Sequence, residues 1–167
     1  MSTRLRLILP ALVLAALFVA VGPAAAATAE DRSYPDREGR MTAPTRSVGE
    51  RAARIALKAV GIPYRWGGES PGSGFDCSGL VRWAYGRIGV ELPHNSYALY
   101  GEGRRVSRAR MKPGDVLFFE GLGHVGLYLG HGRMVHAPQS GRDVEVVRLY
   151  RSNYGRRLIG ARRVVPA

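Results

Sequence analysis

The sequence predicts an α+β domain, with N-terminal helices packed on a small antiparallel β-sheet of about five strands. Two observations carry this. Between Ser47 and Ile88 apolar residues recur at helical spacing, whereas after Met111 they fall in short β-branched and aromatic runs. Helices that come first and strands that follow form separate layers, unlike the alternation of a parallel α/β sheet.

The elements follow in order. Ser47 with Glu50 forms a capping box, and Ala52, Ile55, Ala56, Ala59 and Val60 then share one helical stripe that Gly61 and Pro63 end. Residues 64–75, "YRWGGESPGSGF", read as a glycine-rich loop. Asp76 is an N-cap for a second helix that begins at Cys77 and turns Leu80, Val81, Ala84, Tyr85 and Ile88 to the core. A short third helix fits around Ser96–Tyr100. Strands are expected at 115–119, 124–130, 133–137, 144–149 and 158–165.

The ends and the charge narrow the setting. Arg4 and Arg6, an apolar run from Leu7 to Val21 and small residues up to Ala29 have the layout of a secretory signal peptide over 1–29. An uncleaved membrane anchor is the competing reading, and the run is short for a span of about 20 residues. Residues 30–46 read as a flexible polar arm and 47–167 as one catalytic-sized domain. The chain carries 25 Lys+Arg against 13 Asp+Glu, a net +12 that becomes +10 once Arg4 and Arg6 are removed. Outside a cell such a surface meets anionic wall polymers, peptidoglycan carboxylates and phospholipid headgroups. The export signal and the lack of a nucleic-acid-binding motif argue against nucleic acid, and a monomer is expected.

One cysteine, Cys77, cannot form an internal disulfide. It is a buried inert residue, an intermolecular link or a reactive thiol. At a helix start, free backbone N–H groups and the macrodipole favour thiolate, while the Asp76 carboxylate opposes it. A nucleophilic thiol also needs a base. Four histidines are available: His94, His124, His131 and His136. A hairpin with the three-residue loop Gly130-His131-Gly132 opposes Leu129 to Arg133, so paired residue numbers sum to about 262 by simple alternation. His136 then opposes Gly126, puts His124 diagonally on the same face, and leaves Gly126 as room for a helix start to approach. A two-residue loop puts the two histidines on opposite faces unless a bulge restores parity. His131 in the loop points to solvent. A metal site of Cys77 and histidines lacks the paired short spacings of zinc sites, so neither metal nor cofactor is expected.

"YRWGG" (64–68), "FDCSGLVRWAY" (75–85), "LP" (92–93), "KPGDVLFF" (112–119), "HVGLYLG" (124–130), "MVHAP" (134–138) and "GARRV" (160–164) together resemble the NlpC/P60 family of cell-wall cysteine peptidases. The resemblance implies a papain-like fold with Cys77 as nucleophile, His124 as base and His136 as the group that orients the base. It implies that Tyr64 helps form the oxyanion hole, and that Asp76 and Ser78 contact the free amine of a stem peptide. It also implies a secreted, wall-associated thiol protease that hydrolyses peptidoglycan stem peptides between γ-D-glutamate and the diamino acid. Two positions depart from the family pattern: His94 and Leu99 stand where many members have Arg and Gln. A wall-binding protein without activity, and an amidase or acyltransferase using the same residues, are the alternatives.

Overall fold

The computed structural model describes residues 46–164, so the expected signal peptide and nearly all of the polar arm lie outside the described residues. Helix α1 (Val48–Leu57) starts at the expected capping box. Ser47 Oγ accepts from the Glu50 N–H at 3.3 Å, and Glu50 Oε2 accepts from the Ser47 N–H at 2.9 Å. Ala52, Ala53, Ala56 and Ala59 are buried and Ile55 packs against the same core. Val60, expected on that stripe, is 46% exposed because the helix has ended three residues earlier.

The glycine-rich loop holds a small hairpin of β1 (Glu69–Ser70) and β2 (Gly74–Phe75). Helix α2 (Cys77–Gly86) follows, with Leu80, Val81, Ala84 and Tyr85 fully buried. Helix α3 (Ser96–Leu99) is capped by Asn95, whose Oδ1 accepts from the N–H groups of Tyr97 and Ala98.

The main sheet has six strands rather than five. In chain order they are β3 (Arg104–Val106), β4 (Val116–Phe119), β5 (Val125–Gly130), β6 (Arg133–His136), β7 (Glu145–Arg148) and β8 (Leu158–Arg163). Their spatial order is β3-β8-β4-β5-β6-β7, antiparallel throughout. The unexpected strand is β3, since "RRV" carries no apolar alternation. It pairs with β8, opposing Arg104 to Arg163 and Arg105 to Arg162. Like charges placed opposite one another are unfavourable. Two contacts offset this: Arg163 makes paired hydrogen bonds to the buried Asp115, at 2.7 and 2.8 Å, and the Arg162 guanidinium lies over the Tyr100 ring.

Both faces of the sheet are covered, which is why Val116, Leu117, Phe118 and Phe119 are all buried. Alternation sends Val116 and Phe118 to a core shared with α1 and α2. Leu117 and Phe119 join a second core with Tyr128, Met134, Leu149 and Leu158, packed by Tyr154 of α4 (Tyr154–Arg157). Helix α1 comes so close to the turn before β4 that a side chain at Gly114, where φ is +92°, would run into the Gly49 carbonyl.

The β5–β6 register is as expected in one part and different in another. Leu127 pairs with Val135 and Tyr128 with Met134, both summing to 262. Gly130, not Leu129, pairs with Arg133, because the register shifts between Tyr128 and Gly130. The turn is therefore His131-Gly132, with Gly130, His131 and Gly132 all at positive φ, and the bulge restores the parity that a two-residue loop would have lost. Gly126 does not serve a helix start. A Cβ there would meet the Val135 carbonyl, His136 Cβ and Met134 Sδ, so its bareness seats the neighbouring strand.

Candidate active site

The thiol lies at the first residue of α2, and its position is set from both sides. Upstream, Asp76 caps the helix: its Oδ1 accepts from the Gly79 N–H at 2.7 Å and from Ser78 Oγ at 3.1 Å. Its Oδ2 accepts from the Gly67 N–H at 2.9 Å, which ties the glycine-rich loop to the helix start. His94 Nε2 lies 2.9 and 3.0 Å from the two carboxylate oxygens. His94 Nδ1 is 3.3 Å from Glu69, which also pairs with Arg82. So His94, the first departure from the family pattern, is the side chain that closes the Asp76 network. The second departure, Leu99, is buried in the core.

Downstream, the Cys77 sulfur feels the backbone N–H groups of Val125 at the start of β5, of Ser78 and of Cys77 itself. These donors favour thiolate. Burial outweighs them and, with the Asp76 charge, holds the thiol above its ordinary range. The helix start pulls toward thiolate and Asp76 against it, each in the expected direction, and burial is the larger effect.

His124 immediately precedes Val125, which brings its imidazole to the same rim of the sheet. Its Nε2 is 2.8 Å from His136 Nδ1, with the two rings nearly perpendicular at 81°. This leaves Nδ1 as the His124 nitrogen available to Cys77. His136 is fully buried on the sheet face of Met134 and Tyr154, opposite the body of α2. Burial lowers the pKa of both imidazoles, assisted at His124 by His136 and Arg157 and at His136 by Arg142. The values fall to about 3 for His124 and about 4 for His136. Near pH 7 the site therefore holds an uncharged thiol and two neutral imidazoles.

Tyr64 is half-buried, and its hydroxyl titrates above the ordinary range through burial and the nearby Cys77 and Asp76. His131 is exposed in its turn. Two contributors were not expected from sequence. Tyr154 stacks on His124 at 5.5 Å and meets His136 edge-on at 4.8 Å. Glu145 opposes His136 across β6–β7. A short helix after a 3-10 turn gives Tyr154 no periodic signal. The loop before β7 carries the turn dipeptide Ser140-Gly141, but a loop of that length does not fix the 136–145 register.

The family model of the NlpC/P60 family matches residues 61–163, from the loop before Tyr64 to the end of β8. The chain belongs to the NlpC/P60 family. Among curated NlpC/P60 relatives, a probable endopeptidase of Mycobacterium tuberculosis is 49% identical over 107 residues, covering 62% of this chain and 28% of the relative. The murein DD-endopeptidase MepH of Escherichia coli is 35% identical over 128 residues, covering 70% and 47%. A solved structure of the peptidoglycan hydrolase RipB of Mycobacterium tuberculosis superposes with a TM-score of 0.63 at 35% identity, covering 72% of this chain and 66% of that one. The chain thus spans less than half the length of the curated relatives it matches.

Proposed function

We propose that this NlpC/P60 chain is a secreted, cell-wall-associated cysteine endopeptidase that hydrolyses peptidoglycan stem peptides at the γ-D-glutamyl–diamino acid bond. The observation that carries the reading is the 2.8 Å link between His124 Nε2 and His136 Nδ1, on a chain whose one thiol stands at the first residue of α2. The peptidoglycan activities named for RipB and MepH support the substrate class.

In this mechanism His124 Nδ1 takes the Cys77 proton as sulfur attacks the scissile carbonyl carbon. A neutral imidazole is the form that can accept it. The oxyanion of the tetrahedral intermediate is met by the Cys77 N–H and the Tyr64 hydroxyl. Protonated His124 then gives its proton to the departing amine, leaving a thioester. Water, deprotonated by His124, hydrolyses the thioester and returns the thiol. His136 holds the His124 ring and its tautomer throughout. Asp76 and Ser78 face the free amine of the peptide. Since four donors already surround Asp76, the amine gains that contact by replacing one of them. The chain acts as a monomer without metal or cofactor, and its basic surface favours anionic wall polymers.

The test is incubation with purified muropeptides followed by mass spectrometry. New termini at D-glutamate and the diamino acid are expected. Cleavage at a D,D-crosslink instead would move the assignment to the bond named for MepH, and unchanged muropeptides would favour a binding protein.

A further inference from the structure

His136 has two ring nitrogens, and the proposed mechanism uses one. Nδ1 faces His124. Nε2 is completely buried and, among the described residues, has no hydrogen-bond partner of good geometry. The acidic group beside it is Glu145, whose Oε1 lies 3.5 Å away and whose residue directly opposes His136 in the β6–β7 ladder. Glu145 is itself held, accepting from Arg142 at 2.7 and 2.6 Å.

We infer that Glu145 is a positioning residue that sets the direction in which protons point along the imidazole pair. The inference rests on the cysteine-peptidase reading. Two neutral imidazoles joined by one hydrogen bond have two arrangements. In the first, His136 carries its proton on Nε2, its Nδ1 accepts from His124 Nε2–H, and His124 Nδ1 presents a lone pair to Cys77. In the second every proton is shifted: His136 donates from Nδ1, and His124 presents an N–H to the thiol. Only the first can accept the Cys77 proton. The pair itself does not choose, because the link between the rings is geometrically the same in both.

Glu145 breaks the symmetry. A carboxylate offers only lone pairs, so it attracts an Nε2–H and repels an Nε2 lone pair. The low dielectric of a buried site strengthens this preference. Arg142 would have the opposite effect, since a guanidinium has only donors and would favour the Nε2 lone pair. Its charge is felt at His136, but it is engaged by Glu145, whose Oε1 at 3.5 Å is the charged atom beside Nε2. The other neighbours that bear on the pair are Tyr154, packed on both rings, and the Arg157 charge felt at His124. Neither hydrogen-bonds His136 Nε2. The 3.5 Å separation is long for a resting hydrogen bond, and catalytic contacts of this kind often shorten once substrate is bound.

The test combines nitrogen-15 NMR of histidine tautomers with kinetics on muropeptides. In the wild-type protein His136 should be protonated on Nε2 and His124 on its Nε2. Glu145→Ala should mix or reverse these tautomers and lower kcat about tenfold, the scale of a lost hydrogen bond to a charged group, with KM changed less than twofold. Glu145→Gln, whose amide oxygen can still accept, should fall between and serves if the alanine variant does not fold. Arg142→Ala should leave the tautomers as in wild type. A wild-type His136 protonated on Nδ1, or a Glu145→Ala protein with unchanged tautomers and kcat, overturns the inference. A wild-type protein that cleaves no muropeptide would defeat the peptidase reading, while the tautomer measurement would still decide the role of Glu145.

Discussion

The two flanks of Cys77 are built by opposite means. On the Asp76 side, one carboxylate is surrounded by the Gly67 and Gly79 N–H groups, the Ser78 hydroxyl and His94, so its polar atoms have partners. On the His136 side, two imidazoles share one hydrogen bond, and a buried ring nitrogen has only a carboxylate at 3.5 Å. The first flank fixes a backbone: it holds the loop and the helix start that carry the thiol. The second must exchange protons during a reaction, and it is positioned by burial and ring packing. Satisfied hydrogen bonds give rigidity, whereas sparse ones leave protonation free to change.

The largest effects should come where the two flanks meet. Cys77→Ala, Cys77→Ser and His124→Ala are each expected to remove at least about a thousandfold of stem-peptide hydrolysis, as in other nucleophile–base pairs, while circular dichroism stays that of the wild type. Wild-type turnover by Cys77→Ala would end the mechanism. Next, His136→Ala should cost about one to two orders of magnitude in kcat, because orientation is lost but not the proton acceptor. Asp76→Ala should differ in kind. With a cap and several buried donors left without a partner, it should lose about 2–4 kcal/mol in denaturant unfolding, whereas His136→Gln should unfold near the wild-type midpoint at neutral pH. If His136→Gln proved the less stable of the two at that pH, the division of labour between the flanks would be wrong.

Acid sharpens the same contrast. His124 and His136 titrate near 3 and 4 in the folded protein, below the ordinary imidazole value, so the unfolded chain binds more protons between that value and the folded ones. Stability should therefore fall as pH drops from about 6.5 toward 4, at up to about 1.4 kcal/mol per pH unit for each histidine. Urea unfolding across that range should show a shallower slope for His136→Gln, and an equal slope would show that the imidazole is not held neutral. The smallest effect belongs to the turn: His131→Ala should leave kcat within about twofold, since its ring is exposed and apart from the pair.

The sequence made the thiol flank more legible than the other. A helix start at Asp76-Cys77 is written in local chemistry, and the capping bond to Gly79 is there. The His124–His136 pairing depended on a hairpin register, and parity survived through a bulge that no residue pattern announced. The contributions of Tyr154 and Glu145 come from a short helix and from a strand whose register is set by tertiary contacts. His94 showed in sequence only as a departure from the family pattern, and its role as a partner of Asp76 needed three dimensions. Strand β3 was hidden because its two arginines resemble a solvated loop, and only pairing with β8 makes it a strand.

Those arginines have a consequence for how copies of the protein treat one another. The outer strands of the six-stranded sheet are β3 and β7, and an outermost strand offers unpaired backbone groups to any passing chain. Along one border stand Arg104 and Arg105, with Arg162 and Arg163 directly behind them. Along the other stands Arg148, with Arg133 behind it. A second copy that docked border to border would bring guanidinium rows together with few carboxylates between them. The repulsion that burdens β3 within one molecule thus guards against edge-to-edge aggregation, and the guard should weaken as added salt screens it.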